Sequence, residues 1–186
     1  MKHRMFFAVN LSERCRSRIF SLMNEFKNYS EPIKWESFEK LHITTLFLGD
    51  IDTSVIPILV QSVKMKLEVI GNTEIYFQSL GAFPNFKNPK VIWIGIKENL
   101  AIERIGLELA SCASQIGIEV EERNFHPHVT IGRVKGRISP AFIDKLRDYS
   151  FESFIERINS VELMKSELDR FGSKYYIHKK FNLREN

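Results

Sequence analysis

Two short runs of this chain repeat one arrangement. His42-Ile43-Thr44 opens "HITTLFLGD", and His128-Val129-Thr130 opens "HVTIGRV". In an extended strand alternate side chains share a face, so His42 projects with Thr44 and His128 with Thr130. Each run offers one imidazole and one hydroxyl to the same space. Imidazole titrates near neutrality, so of two such rings one can be neutral while the other is charged. The neutral ring takes a proton from water and the charged ring gives one to a leaving oxygen, each transfer being worth about 10²–10⁴ in rate. The hydroxyls can hydrogen-bond oxygens where charge builds. A phosphodiester suits this set. It is anionic, it has two non-bridging oxygens, and it needs both an activated nucleophile and a protonated leaving group. The scheme calls for no metal and no cofactor.

Other residues compete for chemical roles. His126 and His128 frame Pro127, a pattern that could hold a metal, but no carboxylate or further His stands in strand register with them, and the ligand set is thin. His126 is expected at the rim of a cleft, meeting the ligand, with Pro127 holding it extended. Trp35, seven residues before His42, either borders that cleft or packs. Arg133 follows the second run, yet strand alternation puts it on the face opposite His128. It meets a phosphate only if the strand twists or bulges, and otherwise forms an ordinary surface ion pair. Phe47, by the same count, faces away from His42 into the core; the alternative is a base-stacking platform. Cys15 and Cys112 sit on apolar helical stripes and read as buried reduced thiols. His3 and His178 read as surface residues.

The elements that must position these groups follow from periodicity. "RMFFAVNL" is a short strand, and Ser12 caps a helix carrying Cys15, Ile19, Leu22, Met23 and Phe26 at three- and four-residue steps. "PIKW" is a short strand, and a charged loop leads to the first His-x-Thr strand, 42 to 48, ended by Gly49-Asp50. A second helix is expected from Thr53 to about Glu68, broken by Gly71-Asn72. Strands follow over 74 to 83 and through "KVIWIGI". A third helix spans about 99 to 116. "IEV", a charged loop and the second His-x-Thr strand, 128 to 134, come next. Pro140 suits the first turn of a short helix. Strands over 154 to 166 and 174 to 183, joined by "DRFGS", close the chain.

Hairpins and helices mixed without strict alternation argue for an α+β fold with largely antiparallel sheets. "IKWESFEKLHITTLFLGD" and "IEVEERNFHPHVTIGRVK" share a plan: apolar strand, charged loop, His-x-Thr strand, then helix. This predicts two pseudo-twofold-related lobes, each a mostly antiparallel sheet with helices outside, facing across a central cleft. No Pro-, Gly- or Ser-rich linker divides them, so residues 1 to 186 are expected to form one bilobal domain.

Bulk properties fit. At 186 residues, 44% hydrophobic and 27% charged, the chain suits a globular protein. No apolar run approaches the roughly 20 residues that cross a bilayer, and the N-terminus lacks a signal-peptide core. A cytoplasmic monomer with no membrane contact is expected. Net charge +4 is compatible with a polyanion held in one groove. Lys34, Lys87, Lys90, Arg123, Lys135 and Arg137 fall in or beside loops near the expected cleft; they either guide phosphates or form a solvated rim.

The sequence resembles the 2H phosphoesterases, and within them the RNA 2′,3′-cyclic phosphodiesterases, also called 2′-5′ RNA ligases. The resemblance spans nearly the whole chain: "RMFFAV", Trp35, "HITTLFLG", "LGAFPNFKNPKVIWIGI", "FHPHVTIGRVK" and "VELMKSELDRFGSKYY". It departs at Thr45-Leu46, where the family usually has Leu and then a polar residue; only local repacking is expected. The resemblance implies hydrolysis of a terminal 2′,3′-cyclic phosphate on RNA to a 2′-phosphate. His42 would be the proton donor to the 3′ oxygen and His128 the proton acceptor that activates water. Thr44 and Thr130 would assist, and Arg133 matches the family's basic residue after the second motif. The reverse reaction joins such an end to a 5′-hydroxyl. Two further readings stand beside it: a phosphodiesterase for a small cyclic nucleotide, and a non-catalytic RNA- or nucleotide-binding module on the same fold.

Overall fold

The computed structural model describes residues 1–120, 126–170 and 172–185. Nine strands make one sheet: β1 (Lys2–Asn10), β2 (Ile33–Trp35), β3 (His42–Asp52), β4 (Thr73–Phe83), β5 (Val91–Ile96), β6 (His128–Val134), β7 (Phe154–Ile158), β8 (Ser160–Asp169) and β9 (Gly172–Asn182). Among the described residues four α-helices accompany them: α1 (Glu13–Lys27), α2 (Ile56–Leu67), α3 (Leu100–Gln115) and α4 (Pro140–Asp148). The strands run β7-β4-β5-β6-β3-β1-β8-β9, with β2 also pairing β6. Every pair of these strands is antiparallel. The fold is α+β, and the sheet divides into two halves that meet where β3 touches β6.

The helices form where capping and apolar spacing agree. Ser12 accepts a hydrogen bond from the Cys15 amide, Asn99 from those of Ala101 and Ile102, and Ser139 from that of Phe142. α1 buries Cys15, Ile19, Leu22, Met23 and Phe26, and α3 buries Ile102, Ile105, Leu109, Cys112 and Ala113. These stripes join one face of the sheet, where Phe7, Ile43, Ile94, Val129 and Leu163 belong to the same core. Both thiols are buried, and burial raises the Cys15 thiol far out of the reactive range. On the opposite face a small cluster of Phe6, Ala8 and Met164 packs with Tyr175. β1 therefore has both faces covered, which explains why Met5 to Val9 are all buried.

Several boundaries differ from the sequence reading. The first His-x-Thr strand does not end at Gly49 but runs on to Asp52. Gly49 takes a positive φ of 69° at a bulge, where pairing with β1 steps from Phe47↔Phe6 to Gly49↔Met5 and leaves Leu48 over. Residues 118–120 form no strand. The closing segment holds three strands, not two, because β7 pairs with β4 at one margin of the sheet and β8 with β1 in the other half. The charged loop with Arg123, and Phe171 of "DRFGS", lie outside the described residues.

Candidate active site

β3 and β6 meet at a single register pair, Ile43↔Val129. Both side chains are fully buried in the helix-covered core. Their neighbours on either side therefore point to the open face: His42 and Thr44 from β3, His128 and Thr130 from β6. In an antiparallel pair the register sets His42 beside Thr130 and Thr44 beside His128, a local twofold about the Ile43–Val129 pair. The His128 imidazole is one of the charges that depress the proton affinity of His42, consistent with this proximity. Contact between the strands stops there because β2 occupies the rest of that edge of β6, pairing Trp35↔Gly132, Lys34↔Arg133 and Ile33↔Val134.

Each imidazole is held the same way. Nδ1 of His42 lies 2.7 Å from the Lys40 carbonyl oxygen, and Nδ1 of His128 lies 2.7 Å from that of His126. A carbonyl only accepts, so each Nδ1 carries a hydrogen and each Nε2 is left to exchange a proton. Nε2 of His42 is 3.1 Å from Thr44 Oγ1. Aromatic rings wall both sites. Phe6 and Tyr175 each lie 5.4 Å from the His42 ring, while Phe83 lies 5.0 Å and Trp93 6.0 Å from the His128 ring. Desolvation by this packing is the largest influence on both rings and pushes both below the ordinary imidazole range. The backbone hydrogen bonds oppose it in each. Glu36 also raises the proton affinity of His42, whereas His126 lowers that of His128.

Arg133 and Phe47 occupy positions that simple alternation does not give. In β6 the pairing with β5 steps from Thr130↔Trp93 to Gly132↔Ile92, leaving Ile131 over as a bulge. In β3 the pairing with β1 steps from Thr44↔Ala8 to Leu46↔Phe7, leaving Thr45 over. Each bulge comes directly after the motif threonine and flips the alternation beyond it. The residues five places after each histidine, Phe47 and Arg133, are thereby turned to the open face. Phe47 is not core: it is 69% exposed and lies 6.1 Å from the Phe6 ring. Arg133 lowers the proton affinity of both imidazoles and is held by Glu36, with Nε 3.1 Å from its Oε1. The bulge residues, Thr45 and Ile131, are buried, and the Thr45 hydroxyl has no hydrogen-bond partner.

The remaining expectations divide. His126 is exposed; its ring lies 4.9 Å from Trp93 and stacks 6.5 Å from His128, and its carbonyl orients that histidine. Trp35 is not at the cleft. Its ring stacks 6.5 Å from the buried Phe26 and covers Gly132, where an added Cβ would come within 3.1 Å. Lys34 lies beside Arg133 in register, and Lys87, Lys90, Lys135 and Arg137 are exposed at that end of the second half. Among the described residues no group of three His, Cys, Asp or Glu side chains could hold a metal. Sequence reasoning missed Glu36, Phe6, Tyr175, Phe83 and Trp93. The strands that carry the rings were legible, but which of them lie beside β3 and β6 is set by the sheet order, which the sequence does not name.

The model of the 2′-5′ RNA ligase superfamily matches residues 10–170. The chain belongs to that superfamily. This superfamily member is 32% identical over 173 residues to the RNA 2′,3′-cyclic phosphodiesterase of Archaeoglobus fulgidus, covering 92% of this chain and 96% of that one. It is 32% identical over 188 residues to the enzyme of that name from Methanocaldococcus jannaschii, covering 96% and 99%. The fold matches TT0787 of Thermus thermophilus with a TM-score of 0.87 at 22% identity, over 98% of this chain and 99% of that one. It also matches E. coli LigT complexed with 3′-AMP, with a TM-score of 0.79 at 20% identity, over 98% and 99%. No helix of the described chain is long and apolar enough to cross a membrane.

Proposed function

We propose that this chain hydrolyses the 2′,3′-cyclic phosphate at the end of an RNA to a 2′-phosphate. The observation that carries the reading is the local twofold of two imidazoles, each with Nδ1 tied to a carbonyl and Nε2 turned to the open face. His128 Nε2 takes a proton from water as the water oxygen bonds to phosphorus. The bond from phosphorus to the 3′ oxygen breaks, and that oxygen takes a proton from His42 Nε2. The product keeps the phosphate on the 2′ oxygen, and one water is consumed.

Desolvation depresses both rings, and Arg133 acts against a proton on either. Of the two, only His42 has a carboxylate, Glu36, that favours its proton, which suits an acid, although the His128 charge opposes it. Thr44, Thr130 and Arg133 serve the non-bridging oxygens, where negative charge concentrates as the ring opens. Phe47 offers an exposed face to the terminal base. The names of the relatives supply the RNA end as substrate. With a 5′-hydroxyl in place of water as the nucleophile, the same proton transfers join two RNAs through a 2′-5′ linkage.

The test is incubation of the purified protein with an RNA ending in a 2′,3′-cyclic phosphate, with and without chelator, and identification of the product isomer. A 2′-phosphate formed equally in both arms is expected. A 3′-phosphate product, no turnover, or inhibition by chelator that added metal reverses would each overturn the scheme.

A further inference from the structure

The open face does not end at the catalytic pair. Along β1, His42 is level with Asn10, Phe47 with Phe6, and Asp50 with Arg4. Arg4, Phe6 and Ala8 share one face of the strand. At about 3.3 Å per residue, Arg4 stands about 20 Å beyond the level of His42. Between them lie Phe6 and its neighbours Phe47 and Tyr175, the latter 5.1 Å from the Phe6 ring. Tyr175 pairs with Ser166 of β8, and Ser166 pairs with Arg4, so Tyr175 and Arg4 stand at one level across three strands. At this end an open cavity of about 390 Å³ is lined by Lys2, Arg4, Asp50, Lys165, Ser166 and Leu168. Lys165 is paired with Glu167, whereas Lys2 and Arg4 are exposed and form no ion pair among the described residues. Leu168 is 71% exposed and Ile177 59%, on the same hairpin.

We infer that this end of the first half carries the RNA body upstream of the cyclic phosphate, with bases over Phe47, Tyr175 and Leu168 and backbone phosphates against Arg4 and Lys2. The inference rests on the reaction proposed above and extends it to substrate length. A single strand is recognised by exposed apolar and aromatic faces interleaved with cations, and that combination is present here. The opposite end of the cleft is cationic too, with Lys87, Lys90, Lys135 and Arg137. Its rings, Phe83, Trp93 and the exposed His126, wall the His128 site itself, and no large hydrophobic side chain of the loop that carries these cations is exposed beyond them. Continuity decides the rest: Phe6 touches both His42 and the ring row, so a strand leaving the catalytic pair in this direction stays against the protein.

The experiment compares kcat/KM for a mononucleoside 2′,3′-cyclic phosphate with that for a short oligoribonucleotide bearing the same end. It uses the wild type, a Lys2→Ala/Arg4→Ala variant and a Lys90→Ala/Lys135→Ala variant. Base stacking on these faces predicts that the wild type prefers the oligonucleotide by about tenfold or more. The Lys2→Ala/Arg4→Ala variant is expected to lose about tenfold on the oligonucleotide and nothing on the mononucleotide. Its logarithmic salt slope should be shallower by about 0.7 for each phosphate no longer neutralised. The other variant should keep the preference. A wild type indifferent to length, a preference that survives Lys2→Ala/Arg4→Ala, or one abolished only by Lys90→Ala/Lys135→Ala would overturn the inference and leave the reaction standing. Failure on both substrates would instead overturn the reaction, and the inference with it.

Discussion

The two halves of the sheet solve one geometric problem twice and then diverge. Both present His, one buried residue and Thr; both insert a bulge directly after the threonine; both turn the residue five places on to the open face. The bulge residues match in burial, and the imidazole clamps match in length. What differs is chemistry at equivalent points. The fifth residue is an aromatic platform in the first half, Phe47, and a guanidinium in the second, Arg133. The second half also gains from a strand without a counterpart: β2 lies along β6 and brings Glu36 to Arg133, whereas residues 118–120, its equivalent, form no strand. The backbone symmetry supplies two proton-exchanging nitrogens. The asymmetric side chains can then give them different roles and give the ligand a direction.

The comparison breaks most sharply at the histidines. His42→Ala and His128→Ala are each expected to lower kcat by about 10²–10⁴, the worth of one positioned proton transfer. Both rings face the cleft, so RNA affinity should change little. The thermal unfolding midpoint should fall slightly, more for His42→Ala, whose ring packs on Phe6 and Tyr175. Single-turnover kinetics with equilibrium RNA binding would check this. Full turnover in either variant would mean that only one half does chemistry and that the symmetry is architectural.

The pairing of His with Thr was legible in the sequence because strand alternation over three residues needs no further information. The helices were legible for a similar reason: apolar residues recur at helical spacing after Ser12 and over 99 to 116, and Pro140 marks a first turn. Bulges were not, because a one-residue excess exists only relative to a partner strand, and nothing in "HITTLFLGD" names its partner. That single unknown misplaced Phe47 in the core and left Arg133 undecided. Gly49 was read as a stop for related reasons; its positive φ serves a bulge inside the strand as well as it would serve a turn. Trp35 could be placed only once Gly132 was seen to lie against it.

The acid–base division can be sharpened by pH. Both imidazoles are depressed, first by desolvation, so both lose their protons below the ordinary value of about 6.5. The active form needs one ring charged and one neutral, and its population peaks between the two transitions. The kcat/KM profile is therefore expected to be bell-shaped with its maximum on the acid side of 6.5, its limbs belonging to the coupled pair. Glu36 raises the proton affinity of His42 and is not among the groups acting on His128. Glu36→Gln removes the carboxylate that favours a proton on His42 and releases Arg133, which disfavours one on either ring, so the whole profile should move to lower pH. An unmoved profile would show that Glu36 does not act on the pair. The same shifts act on stability. A ring whose folded pKa is depressed binds fewer protons than the unfolded chain as pH falls through 6.5, so its contribution is present above that value and lost below it.

The smallest expected effect concerns the two bulge residues. Ile131 fills its buried position with hydrocarbon, while Thr45 buries a hydroxyl that has no partner. An unsatisfied buried hydroxyl costs about 1–3 kcal/mol, and an apolar group of the same shape removes that cost. Thr45→Val keeps the β-branch and nearly the volume, so the bulge geometry should persist and leave Phe47 and His42 where they are. The variant is expected to gain about 1 kcal/mol, read as a higher urea midpoint at unchanged slope, with kcat unaltered. A loss of stability would show that the Thr45 hydroxyl is satisfied in solution. A fall in kcat without loss of stability would show that the bulge depends on threonine in the first half and not in the second.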